Sequence, residues 1–216
     1  MNNKIGILGS GPVGQRLAEG FLQHGYDVLI GSRSPEKLQD WKQQTGSKAQ
    51  LGTFEDAAAF GDLLVLAVKG SAAKNALELA VSKNLNGKTI IDTTNPIADM
   101  APDNGVLHFF TDMDHALMEQ LQAAFPDAHF VKAFNSIGNA FMVNPDFQGQ
   151  RPTMFICGNS SEAKRDVSQI LEQFGHEVAD MGGVEAARAI EPLCMLWCIP
   201  GFLQNEWSHA FKLLRA

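Results

Sequence analysis

Short apolar runs and amphipathic stretches alternate along most of this chain. Lys4–Gly9 is an apolar run that ends in a glycine-rich turn, and in Pro12–His24 the residues Val13, Leu17 and Phe21 share one face of a predicted helix. Asp27–Ser32 is a second apolar run. Pro35–Gln44 reads as a helix, with Ser34 as N-cap and Pro35 in the first turn. The same alternation predicts strands at Ala49–Leu51, Asp62–Val68, Lys88–Thr94, His129–Phe134, Thr153–Gly158 and His176–Met181. It predicts helices at Glu55–Phe60, Ser71–Ser82, Asp114–Ala124 and Glu162–Phe174, and helix from Val184 to the end, interrupted by Pro192 and Pro200.

The predicted strands are apolar throughout rather than alternating, as strands buried on both faces are. With helices between them, this implies an α/β fold of Rossmann type: a doubly wound, mainly parallel sheet, here with a short C-terminal helical arm. Residues 1–140 are expected to form the dinucleotide-binding unit. Residues 141–216 are expected to form a small extension that continues the sheet and adds helices.

The first turn, Gly9-Ser10-Gly11-Pro12-Val13-Gly14, follows a strand and opens a helix, the context in which a G-x-G-x-x-G spacing signals a dinucleotide. Gly9 permits the tight turn, Gly11 lets a pyrophosphate approach the backbone, and Gly14 lets helix and strand pack closely. About 20 residues on, where an acid would hold a ribose 2′-hydroxyl, stands Ser32-Arg33-Ser34, with Lys37 one helical turn later. A carboxylate would repel a 2′-phosphate, whereas a guanidinium holds it by paired charged hydrogen bonds. The cofactor expected is therefore NADP(H). Other strand ends, Ala67–Gly70, Thr93–Pro96 and Lys132–Asn139, should line the same crevice.

Composition narrows the chemistry. The 216 residues carry 24 acidic and 17 basic side chains, a net charge of −7, which suits a soluble protein and not a nucleic-acid binder. No apolar run approaches the roughly 18–20 residues of a membrane span. Met1-Asn2-Asn3-Lys4 leads straight into a strand without the features of a signal peptide. Three scattered cysteines fit no disulfide framework, and the expected compartment is the cytoplasm. The six histidines show no metal spacing, so no metal is expected, and in Asp112–His115 Asp114 reads as a helix N-cap. Cys194 and Cys198 lie four apart on a helix, as a thiol pair or as core packing. Trp197 and Trp207 fit either a core or a stack on a ring-shaped substrate.

The sole tyrosine, Tyr26, lies inside the nucleotide unit, so the Tyr-x-x-x-Lys pair of short-chain dehydrogenases is absent. Only about 30 residues remain for the long helical second domain of hydroxyacid dehydrogenases and pyrroline-carboxylate reductases. No catalytic acid or base is assigned. Such a site suits hydride transfer to an acceptor that needs no proton from the protein, another planar cofactor being one.

The segments "IGILGSGPVGQRLAEGF", "IGSRSPEK", "IIDTTNPI", "KAFNSIGN", "FICGNSSEAK" and "AARAIEPL" together resemble the coenzyme F420-dependent NADP oxidoreductase family. The likeness spans essentially the whole chain. It is also similar to the reductase domain of transmembrane metalloreductases, without the membrane portion. The resemblance implies hydride transfer between NADPH and a deazaflavin (coenzyme F420) or a flavin, in a homodimer whose partners are small redox acceptors rather than membranes. It implies that Ser10, Pro12 and Val13 contact the pyrophosphate and that Ser32, Arg33 and Lys37 hold the 2′-phosphate. Ala67, Val68 and Asn95 would border the ribose and nicotinamide, and Ala133, Asn135 and Ser136 would lie where the second ring stacks. Two other functions fit the same residues: a non-catalytic NADP(H)-binding redox sensor, and an NADPH reductase of a small carbonyl or imine compound.

Overall fold

The computed structural model describes residues 3–216, so the reading of Met1 and Asn2 lies outside the described residues. Six strands pair in parallel: β1 (Lys4–Leu8), β2 (Asp27–Gly31), β3 (Ala49–Gly52), β4 (Leu63–Leu66), β5 (Thr89–Asp92) and β6 (His129–Lys132). Their order is β3-β2-β1-β4-β5-β6, the doubly wound arrangement. The crossover segments are α1 (Pro12–Gln23), α2 (Gln39–Thr45), α3 (Phe54–Phe60), α4 (Ala73–Leu79) and α5 (Leu117–Ala124). Two further strands, β7 (Thr153–Ile156) and β8 (Glu177–Asp180), pair in parallel around α6 (Ser161–Gln173), and α7 (Ala187–Gln204) follows. This second ladder meets the first through one antiparallel bridge, between Lys132 and Cys157.

Alternation along the strands splits the core into two apolar layers. Ile5, Ile7, Val28, Ile30 and Val65 face α1 and α6, where Leu17, Phe21, Val167, Leu171 and Phe174 close the packing. Leu8, Leu64, Leu66, Ile90 and Phe130 face the other way, against Phe54, Leu77, Leu117, Leu121 and Ile190.

The C-terminus departs from the pattern read in the sequence. Both Pro192 and Pro200 lie inside α7, which continues through them. The helix stops at Gln204, because Asn205 takes the left-handed conformation (φ 54°) that ends helices. The chain then folds back. The Trp207 ring lies against Gly201, where any Cβ would collide with it. Further on, Thr153 N donates to Phe211 O at 2.9 Å and Leu213 N to Thr153 Oγ1 at 3.1 Å, so the tail runs beside β7 instead of extending the helix. Residues Val184–Gln204 do reach the length and apolarity of a membrane span, with mean hydropathy 1.3, although no single uninterrupted apolar run is present.

Two local expectations also fail. Helix α5 starts at Leu117 with Ala116 at the N-cap; Asp114 instead donates its backbone N to Asp112 Oδ1 at 2.9 Å, closing a turn. Ser34 makes no side-chain cap, and Pro35–Leu38 forms a tighter 3-10 turn before α2. Pro35 stands at the start of that turn.

One core group gives the fold a pH dependence. His176 is fully buried, and its Nε2 lies 2.9 Å from the carbonyl oxygen of Met142, which can only accept. The other ring nitrogen, Nδ1, has no partner among the described residues. Burial therefore pushes the His176 pKa below its usual 6.5. In that range the unfolded chain binds a proton that the folded chain refuses, so stability is lost as pH falls below about 6.5. We expect a slope of up to about 1.4 kcal/mol per pH unit in denaturation midpoints, absent from His176→Gln.

Candidate active site

The crevice lies where the sheet order reverses, at the carboxyl ends of β1 and β4, as the doubly wound topology requires. Its cleft has a volume of about 810 Å³. Gly9 has φ 136°, and a Cβ there would strike the Ala67 carbonyl. A Cβ on Gly14 would strike the Gly9 carbonyl, so α1 can approach β1 only with glycine at that position. Gly11 differs: its backbone suits any residue, and a Cβ would meet no atom within 4 Å. The space it leaves belongs to the cleft.

Serine hydroxyls join the two loops at this end. Ser10 Oγ donates to Ser32 Oγ at 3.1 Å, Ser32 Oγ accepts from Ser34 N at 3.1 Å, and Gln15 Nε2 donates to Ser10 O at 2.7 Å. The turn and the β2 end are thus held in one geometry before any ligand arrives. Arg33 and Lys37 stand exposed beside them, and among the described residues neither forms an ion pair. Two unneutralised cations next to the exposed N-terminus of α1 make this end of the cleft a place for anions.

The opposite end is mostly neutral. Ala67, Val68, Thr93, Thr94, Asn95 and Ile97 line it, and at the rim Lys69 pairs with Asp99 at 3.1 Å. Of the residues singled out in the sequence, Gly9 to Val13, Ser32, Arg33, Lys37, Ala67, Val68 and Asn95 all border this cleft, and Gly14 supports it from behind. Ala133, Asn135 and Ser136 are buried and are not among the residues that border it. Asn135 is nevertheless tied to the wall. Asn95 Nδ2 donates to Asn135 O at 2.8 Å, and Asn135 Nδ2 donates to Asn95 Oδ1 at 3.2 Å and to Ile190 O at 2.9 Å.

Trp197 is buried, donates from Nε1 to His209 O at 2.9 Å and stacks on that imidazole, so it packs against the tail. Cys157 is buried, which pushes its thiol up to about 12. The neighbouring Cys198, and then burial, raises the Cys194 thiol, and Cys194 in turn lowers that of Cys198.

Beneath the neutral end lies a cluster that sequence reasoning missed. Lys132 Nζ sits 2.7 Å from Asp92 Oδ2 and 3.0 Å from Glu191 Oε1, and donates to Thr94 O at 2.8 Å. All three charged side chains are sealed from solvent. Burial alone would strip the Lys132 proton; Asp92 and then Glu191 outweigh it and hold the pKa above the ordinary lysine value. Asp92 Oδ1 accepts from Thr94 N at 2.9 Å and Thr94 Oγ1 at 2.7 Å. Glu191 accepts from the amides of Leu117 at 2.9 Å and Met118 at 3.0 Å, the first residues of α5. The signal for this cluster was faint: two apolar strands that end in opposite charges, "TIID" and "HFVK", which the sheet places in register.

Comparison with known proteins gives this geometry a lineage. Residues 4–96 match the family model for the coenzyme F420-dependent NADP oxidoreductases. The crystal structure of a candidate F420-dependent NADP-reductase from Arthrobacter sp. FB24 superposes with a TM-score of 0.92 at 30% identity, over 100% of both chains. The chain belongs to the F420-dependent NADP oxidoreductase family. It is an oxidoreductase of the NADP-dependent kind. Metalloreductase STEAP3 of Rattus norvegicus is 31% identical over 204 residues, 93% of this chain but 39% of the relative, so the chain spans about two fifths of that protein. A reductive aminase of Aspergillus terreus shares the fold at 18% identity, with a TM-score of 0.67 over 95% of this chain and 63% of its own.

Within this family member the buried cluster should dominate stability. Lys132→Met leaves two desolvated carboxylates without their cation, and we expect urea denaturation to show a loss of about 3–5 kcal/mol.

Proposed function

We propose that this oxidoreductase passes hydride between NADP(H) and a deazaflavin or flavin-type acceptor. The carrying observation is how charge is distributed along the cleft. Among the described residues that line it, the ionisable side chains are Arg33 and Lys37 at one end and the mutually paired Lys69 and Asp99 at the rim. Arg33 and Lys37, with Ser32, are suited to a 2′-phosphate, and the open face of Gly11 to the pyrophosphate. NADPH supplies the hydride when bound. Ala67, Val68, Thr93 and Asn95 offer its nicotinamide a flat, uncharged wall and no proton donor of carboxylic or imidazole type. A carbonyl or imine reductase needs such a donor at the new hydroxyl or amine. A tricyclic acceptor can take its proton from solvent at a ring nitrogen, so what the site must supply is alignment of the two rings.

In this reading residues 1–140 bind the dinucleotide and residues 141–216 brace it from below and beside. Asn135 acts on the cleft through Asn95, and Ala133 and Ser136 support the strand end rather than touch a ring. The exposed apolar residues Leu196, Phe202 and Leu203 of α7, with Met100 beside the cleft, support a homodimer formed through this helix.

The direct test follows NADPH oxidation against a panel of deazaflavin, riboflavin, FMN, FAD, ferric chelates and small imines. Turnover with ring acceptors and not with imines is expected; the reverse would overturn the acceptor class. Turnover with none, despite tight NADPH binding, would favour a sensor. In parallel, Arg33→Ala should weaken NADPH roughly ten- to a hundredfold and leave NADH nearly unchanged, as loss of a charged hydrogen bond implies. Equal weakening of both would show that Arg33 only supports the loop. Gly11→Val should keep its melting temperature, since its Cβ meets no protein atom, yet lose both dinucleotides in the same titration.

A further inference from the structure

Three features stand behind the cleft wall or tie into it: the buried Lys132–Asp92–Glu191 cluster, the pair between Asn95 of the wall and the buried Asn135, and a bulky buried residue, Phe134, held in the left-handed region at φ 61°. They are one connected structure. Lys132 ends β6, and Phe134 and Asn135 follow it directly. The strained Phe134 backbone reverses the chain so that Asn135 reaches both Asn95 and the Ile190 carbonyl on α7. Next to Ile190 is Glu191, whose carboxylate returns to Lys132. The circuit closes through Thr94: its carbonyl accepts from Lys132, its amide and hydroxyl bond Asp92, and its neighbour Asn95 bonds Asn135.

We propose that Lys132, with Asp92 and Glu191, is a positioning device for the nicotinamide end of the cleft, fixing Thr94 and Asn95 and locking them to α7 and the start of α5. The proposal rests on the reading of the cleft as the NADP(H) site. Burying three charges is costly, and an apolar set of similar volume would hold the strands together as well or better. An ion cluster adds direction. Its ammonium fixes where one carbonyl points, and its carboxylates fix three amides and a hydroxyl, so the 93–95 wall has one conformation rather than several. Everything the cluster grips lies at the neutral end. The 2′-phosphate end is held separately, by Ser10, Ser32 and Ser34. The two ends of the dinucleotide should therefore respond independently to substitution.

The test compares two ligands: NADPH, and adenosine 2′,5′-bisphosphate, which carries the adenine and 2′-phosphate but no nicotinamide. Affinities for both are measured by calorimetry on the full chain and on the triple variant K132M/D92N/E191Q, which removes the charges while keeping the shapes. The bisphosphate should bind within twofold of its original affinity while NADPH weakens at least tenfold. The ratio of the two affinities is the readout, because general loosening of the fold would weaken both ligands together. An unchanged ratio in the folded triple variant overturns the proposal.

If the triple variant does not fold, E191Q decides. It leaves Lys132 with Asp92 but weakens the grip on α5 and α7. The ratio should then fall at least threefold, with faster hydrogen exchange at the Leu117 and Met118 amides. A folded E191Q with an unchanged ratio overturns the proposal equally. If neither ligand binds the unaltered protein, the dinucleotide reading itself fails and the positioning role falls with it; if both bind and the ratio does not move, only the positioning role is lost.

Discussion

An ammonium group sealed in a protein interior keeps its proton only if opposite charge and hydrogen-bond acceptors surround it. Lys132 meets that demand with Asp92 on the neighbouring strand, Glu191 on the last helix and the Thr94 carbonyl on the cleft wall. Each of the three constrains another part of the fold. Asp92 requires β5 and β6 to be in register; Glu191 requires α7 to lie across the start of α5; Thr94 requires the loop after β5 to turn back over the cluster. The C-terminal helix is therefore anchored by charge as well as by apolar contact, which explains how a helix as apolar as α7 takes a defined place. The half-buried, bidentate ion pair of Arg188 with Glu119, at 2.6 Å, joins the same two helices.

The cleft is built from two kinds of order. At the glycine turn, order comes from absent side chains: Gly9 and Gly14 let β1, α1 and the β4 end pack so closely that backbone amides stand free at the surface. At the other end, order comes from buried polar bonds beneath a wall of small residues. Among the described residues that line the cleft, unpaired cations stand where the first kind prevails, and where the second does the lining cation is Lys69, paired with Asp99. A dinucleotide has the same polarity, phosphates at one end and a planar ring of low charge at the other. The match between the two is the physical content of the family assignment.

Much of this was written into the order of residues. The doubly wound sheet follows from apolar runs alternating with amphipathic ones, because local patterning decides which segments are strands and chirality decides how they connect. The glycine turn and the Ser32-Arg33-Ser34 segment were legible for the same reason: each is a local arrangement whose chemistry depends on neighbours in sequence. By contrast, the end of α7, the backward course of residues 205–216 and the start of α5 at Leu117 depended on contacts between distant segments. Trp207 against Gly201 and Glu191 against the Leu117 amide overrode local propensity. Ala133, Asn135 and Ser136 sit at a strand end, as the pattern implied, but all three are buried, and no periodicity shows that.

The sequence by itself determined the fold class and the glycine turn, and pointed to NADP(H), since these rest on spacing within about thirty residues. Only the tertiary structure decided which polar residues share a buried site. Lys132, Asp92 and Glu191 are separated by 40 and 59 positions, and each alone reads as an ordinary charge at the end of a strand or on a helix. Their meaning comes from burial, which makes a charge costly unless its partners arrive with it. A lysine becomes a structural centre only when the sheet register and the last helix bring two carboxylates to within 3.0 Å of it.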